Sequence, residues 1–208
     1  MKYFDVHTHL PKKNALLNCF PNKEMPVQNF SVGIHPWYLY NLTIQKQQLV
    51  HKVLDKNCLA IGECGLDRAC HSPIDIQISV FDFQLHLAKT LQKPLIIHCV
   101  KAFDLLIPKI KTISVPVIIH GFNQSEQIMK QLLEIEHVFL SFGKSLLHKS
   151  SNAQNALLKT PIHRFFLETD NQELISIDNV YSKASELLHL NIETLCGEIE
   201  KNKAKILN

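Results

Sequence analysis

FDVHTHL, residues 4–10, is a short apolar run that breaks into two histidines one residue apart. Side chains at i, i+2 and i+4 share one face of a strand, so Asp5, His7 and His9 are expected to point the same way at the strand's C-terminal end. Two imidazoles at that spacing can grip one divalent ion. Four later stretches end in the same manner. Ile61 and Glu63 alternate in AIGECGLD (60–67), Ile96 and His98 in PLIIHCVKA (94–102), and Ile118 and His120 in IIHGF (118–122); Phe166, Glu168 and Asp170 alternate in FFLETD (165–170). Each ligand-type residue thus caps an apolar run. In a barrel such ends converge on one face, where barrel enzymes keep their active sites.

Seven short runs rich in Ile, Val, Leu or Phe punctuate the chain: 3–7, 30–35, 59–63, 95–99, 115–120, 138–142 and 164–170. Each fits a parallel strand buried on both faces. Amphipathic segments lie between them. Residues 75–92 place Ile78, Phe81, Leu85 and Ala88 at helical spacing. Residues 124–136, with Ser125 as N-cap, and 178–190 also read as helices, as does Asp104 to Ile110 with Pro108 shortening or kinking it. Strand–helix alternation points to an α/β fold with a parallel sheet. About seven strands favour a (β/α) barrel over an open sheet, although periodicity alone does not decide between them.

The 208 residues suffice for one core and are short for two, so 1–208 is read as a single domain. A net charge of +3 is too mild to argue nucleic-acid binding by itself, yet it does not oppose a phosphate-bearing substrate. No run of 18 apolar residues exists, so no membrane partner is expected. Polar groups interrupt the N-terminus from Lys2 onward, unlike a signal peptide. The six cysteines (19, 58, 64, 70, 99, 196) form no CxxC pair and suggest reduced thiols in the cytoplasm. Cys64 and Cys99 adjoin ligand candidates but alternate to the opposite face, and read as small buried hydrophobes. Four imidazoles and two carboxylates suit Zn, Mn or a related ion. They are too many for one open tetrahedral site and suit two ions, which together activate water for phosphoester or amide hydrolysis.

In order, FDVHTHL (4–10), VGIHP (32–36), AIGECGLD (60–67), FDFQLHLA (81–88), PLIIHCVKA (94–102), IIHGF (118–122), SFG (141–143) and FLETD (166–170) resemble the TatD family of metal-dependent deoxyribonucleases, within the amidohydrolase-like barrels. The resemblance implies a TIM-type barrel and two divalent ions (Mg, Mn or Zn). His7, His9, Glu63 and Asp170 would hold one; Glu63, His98 and His120 would hold the other, with Glu63 bridging. Asp170 would also accept a proton from the attacking water, which makes Asp170 and Glu63 the catalytic pair. His35 and Glu168 look like groups that support ligands or face substrate, and Asp5 supports its neighbouring histidines. The implied substrate is DNA or a nucleotide.

Two departures stand out. Residues 11–29 hold three prolines and no clear strand, so one βα unit is expected to be missing. That leaves about seven strands in an incomplete or distorted barrel, its gap covered by the 11–29 loop or a partner subunit. Asn171 and Gln172 follow Asp170 where the family commonly has a small residue and Pro. A DNA cleft needs cations and rings near the metals; Trp37, Arg68, Lys101, Phe122 and Lys144 follow strand ends and are the candidates, each with a surface-charge or packing role as the alternative. Lys201, Lys203 and Lys205 read as a solvated helix face. The leading expectation is a metal-dependent hydrolase of the deoxyribonuclease type. A hydrolase of another ester or amide, and a non-catalytic metal-binding scaffold, stay open, as does the oligomeric state.

Overall fold

The computed structural model describes residues 3–207; Met1 and Lys2, on which part of the N-terminal reading rests, lie outside them. The strands are β1 (Asp5–Thr8), β2 (Ala15–Cys19), β3 (Phe30–Val32), β4 (Cys58–Asp67), β5 (Leu95–Val100), β6 (Val117–Ile119), β7 (Val138–Phe142) and β8 (Phe165–Leu167). The helices are α1 (Leu42–Val53), α2 (Ile74–Leu91), α3 (Phe103–Ile110), α4 (Glu126–Leu133), α5 (Asn152–Lys159), α6 (Ile177–Leu188) and α7 (Ile192–Ile206). The strands follow one another in chain order, and the described pairings between neighbours are parallel. This is the strand order of a TIM-type (β/α) barrel.

Among the described residues the strand count is eight, where the sequence reading gave about seven. The extra strand is β2, inside the stretch expected to hold none. Its sequence, ALLNC, carries no β-branched or aromatic residue, so local propensity argues against it. Its pairing with β3, Leu17 to Cys19 against Phe30 to Val32, overrides that preference. What the chain lacks among the described residues is helix: none separates β1 from β2 or β2 from β3. The helices expected over 75–92, 124–136, 178–190 and 104–110 appear as α2, α4, α6 and α3. The Ser125 hydroxyl caps α4 by accepting from the Ile128 amide at 3.4 Å, and Pro108 sits inside α3.

Contacts divide the chain into two compact units, Leu17–Ile118 and the remainder up to Leu16 and from Ile119. In the first unit β4 is the spine: nine of its ten residues are buried, as a strand covered on both faces requires. Helix α2 lays Val80, Phe81, Leu85 and Ala88 into that core. Its buried stripe also carries two glutamines seven residues, or two turns, apart. Gln77 accepts from the Asp67 amide at 2.8 Å and donates to the Asp67 carbonyl at 2.9 Å. Gln84 treats Ile34 the same way, at 2.7 and 3.1 Å.

In the second unit β7 pairs with β8, and β8 leads to β1 through a bridge between Thr8 and Asp170. The Asp170 amide donates to the His7 carbonyl at 2.9 Å, and the His9 amide donates to the Asp170 carbonyl at 3.0 Å. The fully buried Tyr181 of α6 fastens the start of β1: its hydroxyl donates to the Phe4 carbonyl and accepts from the Phe4 amide. Among the described residues no helix is long and apolar enough to cross a membrane.

Candidate metal centre

In the unit Leu17–Ile118, β4 and β5 carry Glu63 and His98. Glu63 Oε1 lies 3.2 Å from His98 Nδ1 and 3.1 Å from His35 Nε2. One ligand atom from each of these three residues lies within 4.8 Å of the others. The unpredicted β2 supplies the brace: Asn18 Oδ1 accepts from the Glu63 amide at 2.9 Å, and Asn18 Nδ2 donates to Glu63 Oε2 at 3.4 Å. His98 is oriented from its other nitrogen, with Nε2 3.0 Å from Asp67 Oδ2. Trp37 Nε1 donates to the same oxygen at 2.6 Å. Burial pushes the Asp67 carboxyl up, but the hydrogen bonds from Trp37, His98 and the Ala69 amide outweigh it and hold the group below the usual carboxylate range.

His35 differs from His98. Its Nδ1 accepts from the Trp37 amide at 3.1 Å. A nitrogen that accepts must carry the lone pair, so in the neutral ring the proton sits on Nε2. His35 therefore donates to Glu63, and that nitrogen has no lone pair for a cation.

In the unit formed by the two ends of the chain, Asp170 Oδ1 lies 3.5 Å from His7 Nε2 and 3.4 Å from His9 Nε2. His7, His120 and Asp170 offer ligand atoms within 4.8 Å of one another, and the His7 and His120 rings are 4.4 Å apart. Asp170 takes a left-handed backbone (φ 53°), held by its two main-chain hydrogen bonds to His7 and His9. Glu168, fully buried, accepts from the Gly121 amide at 2.8 Å through Oε1, which also lies 3.4 Å from His120 Nδ1. Its Oε2 is buried with no hydrogen-bond partner. Asp5 is buried and accepts from the Thr169 amide at 3.0 Å and the Thr169 hydroxyl at 2.6 Å. Burial raises the Asp5 carboxyl to about 6, against the pull of Thr169 and of Lys12.

These donors fit divalent ions. Two ligands about 2.1 Å from one tetrahedral ion stand roughly 3.4 Å apart. The His98–Glu63, His7–Asp170 and His9–Asp170 separations of 3.2, 3.5 and 3.4 Å match that edge. The unpartnered buried oxygen of Glu168 points the same way, since such an atom calls for an ion or water.

The phosphate and base candidates divide. Phe122 is buried against Phe142 and Arg68 is paired bidentately with Asp104, so packing and ion pairing account for both. Trp37 is exposed, as are Lys101 and Lys144; Lys101, like Asp170, has a left-handed backbone. Cys64 and Cys99 are buried, and burial drives both thiols up, Cys99 to about 12, so neither is a nucleophile. Sequence reasoning missed Asn18 and Asp67. Asp67→Asn is expected to leave the fold intact and weaken metal binding by about 10- to 100-fold, because His98 loses the carboxylate that sets its tautomer. Isothermal titration with Mn or Zn checks this; unchanged affinity would refute the orienting role.

A family model described as TatD related DNase matches residues 20–208. The human 3'-5' RNA nuclease TATDN2 is 33% identical over 146 residues, 66% of this chain and 19% of that protein. An uncharacterized metal-dependent hydrolase of Haemophilus influenzae is 27% identical over 157 residues, 70% of this chain and 59% of its own length. The chain thus matches less than two thirds of the length of these curated relatives. The crystal structure of YJJV, a TatD homologue from Escherichia coli, superposes with a TM-score of 0.85 at 20% identity, covering 99% of this chain and 98% of that one. The likeness establishes the TIM-type barrel. The family model takes in the chain from Phe20, the residue after β2, to its last residue, and with it the ordered motifs from VGIHP to FLETD: the chain belongs to the TatD related DNase family.

Proposed function

We propose that residues 1–208 work as one metal-dependent phosphodiesterase domain acting on DNA or a related nucleotide substrate, with His7, His9, Glu63, His98, His120 and Asp170 as ligands to two divalent ions. The observation that carries this is the clustering of histidine and carboxylate ligand atoms, with separations of 3.2–3.5 Å that match the edge between two ligands of one ion. Relatives named as nucleases support the substrate class.

Bound ions would supply an acidified water and positive charge for the leaving oxygen. Asp170, oriented by its main-chain bonds to His7 and His9, takes the water's proton. Asn18 fixes the Glu63 carboxylate and the proton on His35 Nε2 steadies it. Asp67 keeps His98 aimed by its Nδ1. The six free cysteines, five of them buried, suit the reducing cytoplasm in which we place the protein.

Purified protein incubated with 3'-labelled single-stranded DNA and Mg, Mn or Zn is expected to shorten the strand, and a chelator is expected to abolish cutting. Cleavage of a simple phosphoester but no nucleic acid would move the reading to a different ester substrate. Bound metal with neither substrate cut would overturn it in favour of a scaffold.

A further inference from the structure

Beside the His35–Glu63–His98 group, the unit Leu17–Ile118 contains a cavity of about 200 Å³ walled by Phe20, Tyr38 and Tyr40, with Lys23 and Asn22 at its edge. His35 belongs both to this wall and to the group around Glu63. The Phe20 and Tyr38 rings meet edge to face at 5.4 Å, and the Tyr38 and His35 rings lie 5.6 Å apart. Trp37, Tyr38 and Tyr40 are each about half exposed, at 53, 49 and 46%. Three rings left in water within four residues cost hydration free energy unless something flat covers them.

The walls are built rather than incidental. Two buried side chains of α1, seven residues apart on one stripe, hold them. Gln45 accepts from the Tyr40 amide at 3.2 Å and donates to the Tyr38 carbonyl at 2.8 Å. The Lys52 ammonium donates to the carbonyls of Phe20, Lys23 and Glu24. Residues 20–24 and 38–40 are thereby pinned as facing loops. Residues 20–24 occupy the stretch where the chain carries no helix between β2 and β3, and residues 38–40 lie between β3 and α1, so the shortened segment leaves this hollow open instead of filling it.

We propose that this cavity is a nucleobase subsite, taking the base of the nucleotide whose phosphate is cut at the neighbouring group; in that respect it rests on the nuclease reading. The volume lies below the roughly 300–1000 Å³ of sites for drug-sized ligands, so it admits one ring system and no more. Tyr and Phe faces stack on any base. The Asn22 amide and Lys23 ammonium offer donors to a base's carbonyl and ring-nitrogen edges.

Trp37, the chain's sole tryptophan, sits 6.4 Å from the Tyr38 ring and reports on the site by fluorescence. Titration of the full chain with adenosine and with thymidine, which lack phosphate, is expected to give saturable changes for both. Tyr38→Leu and Tyr40→Leu, with unaltered circular dichroism, are expected to weaken binding by about tenfold or more in at least one variant. Ribose 5-phosphate, with no base, is expected not to compete. No saturable response to either nucleoside, or wild-type affinity in both variants, overturns the subsite. Cleavage of single-stranded DNA by a protein that ignores nucleosides sinks the subsite alone; nucleoside binding without any cleavage upholds the subsite and sinks the nuclease reading.

Discussion

Glu63→Gln is expected to cut metal-stimulated hydrolysis of single-stranded DNA by about a thousandfold, or roughly 4 kcal/mol of transition-state stabilisation, while the fold survives. Glutamine has nearly the shape of glutamate, so the β4 backbone and its bond to Asn18 need not move. The charge and one oxygen are what change. Asn18 uses its oxygen on the Glu63 amide and turns its own NH₂ toward Oε2, so the new side chain would keep its oxygen there and present NH₂ to His35 and His98. An amide nitrogen has no lone pair for a cation, and the His35 proton would face a donor. Steady-state rates with Mn, alongside bound-metal content and a thermal midpoint, separate this outcome from simple unfolding. A variant with normal folding and activity within tenfold of the wild type would show that Glu63 neither ligates nor acts in the reaction.

The second large effect concerns stability. Gly65→Ala is expected to destabilise the protein by about 3 kcal/mol or more. Gly65 has φ of +140°, a region closed to other L-residues, and an added Cβ would stand 2.0 Å from the His98 carbonyl oxygen. Gly65 and His98 are register partners of β4 and β5, so the added Cβ meets main chain and no rotamer change relieves the clash. Either the two strands part or His98 shifts away from Glu63. Urea titration reads the first and metal affinity the second; a loss below about 1 kcal/mol with unchanged affinity would contradict the crowding at this crossing.

The same glycine explains part of what the sequence hid. The reading ended the third apolar run at Glu63, between Gly62 and Gly65, but Gly65 lets β5 approach and the strand continues to Asp67. Glu63, Gly65 and Asp67 alternate, so the pattern that singled out Glu63 extended to Asp67 as well. The metal-ligand candidates were legible because each ends an apolar run, and two-residue alternation survives any detail of packing. Asn18 was not, since ALLNC is a strand only by virtue of its neighbour, and Asn has no preference that marks it as a brace. His35 resolved only with geometry, as the Trp37 amide fixes its proton. The missing-unit expectation located the irregularity correctly between His9 and Gly33 but removed a strand together with its helix, where the strand β2 is present and only helix is absent.

Gln77 and Gln84 each give one amide to both main-chain groups of a single residue, doing for Asp67 and Ile34 what an adjoining strand would do. Neither strand end can therefore fluctuate open alone while α2 stays docked. The amides of Ile34 and Asp67 should exchange with solvent only through an opening that lifts the helix, so the rim of the site and α2 behave as one cooperative folding unit.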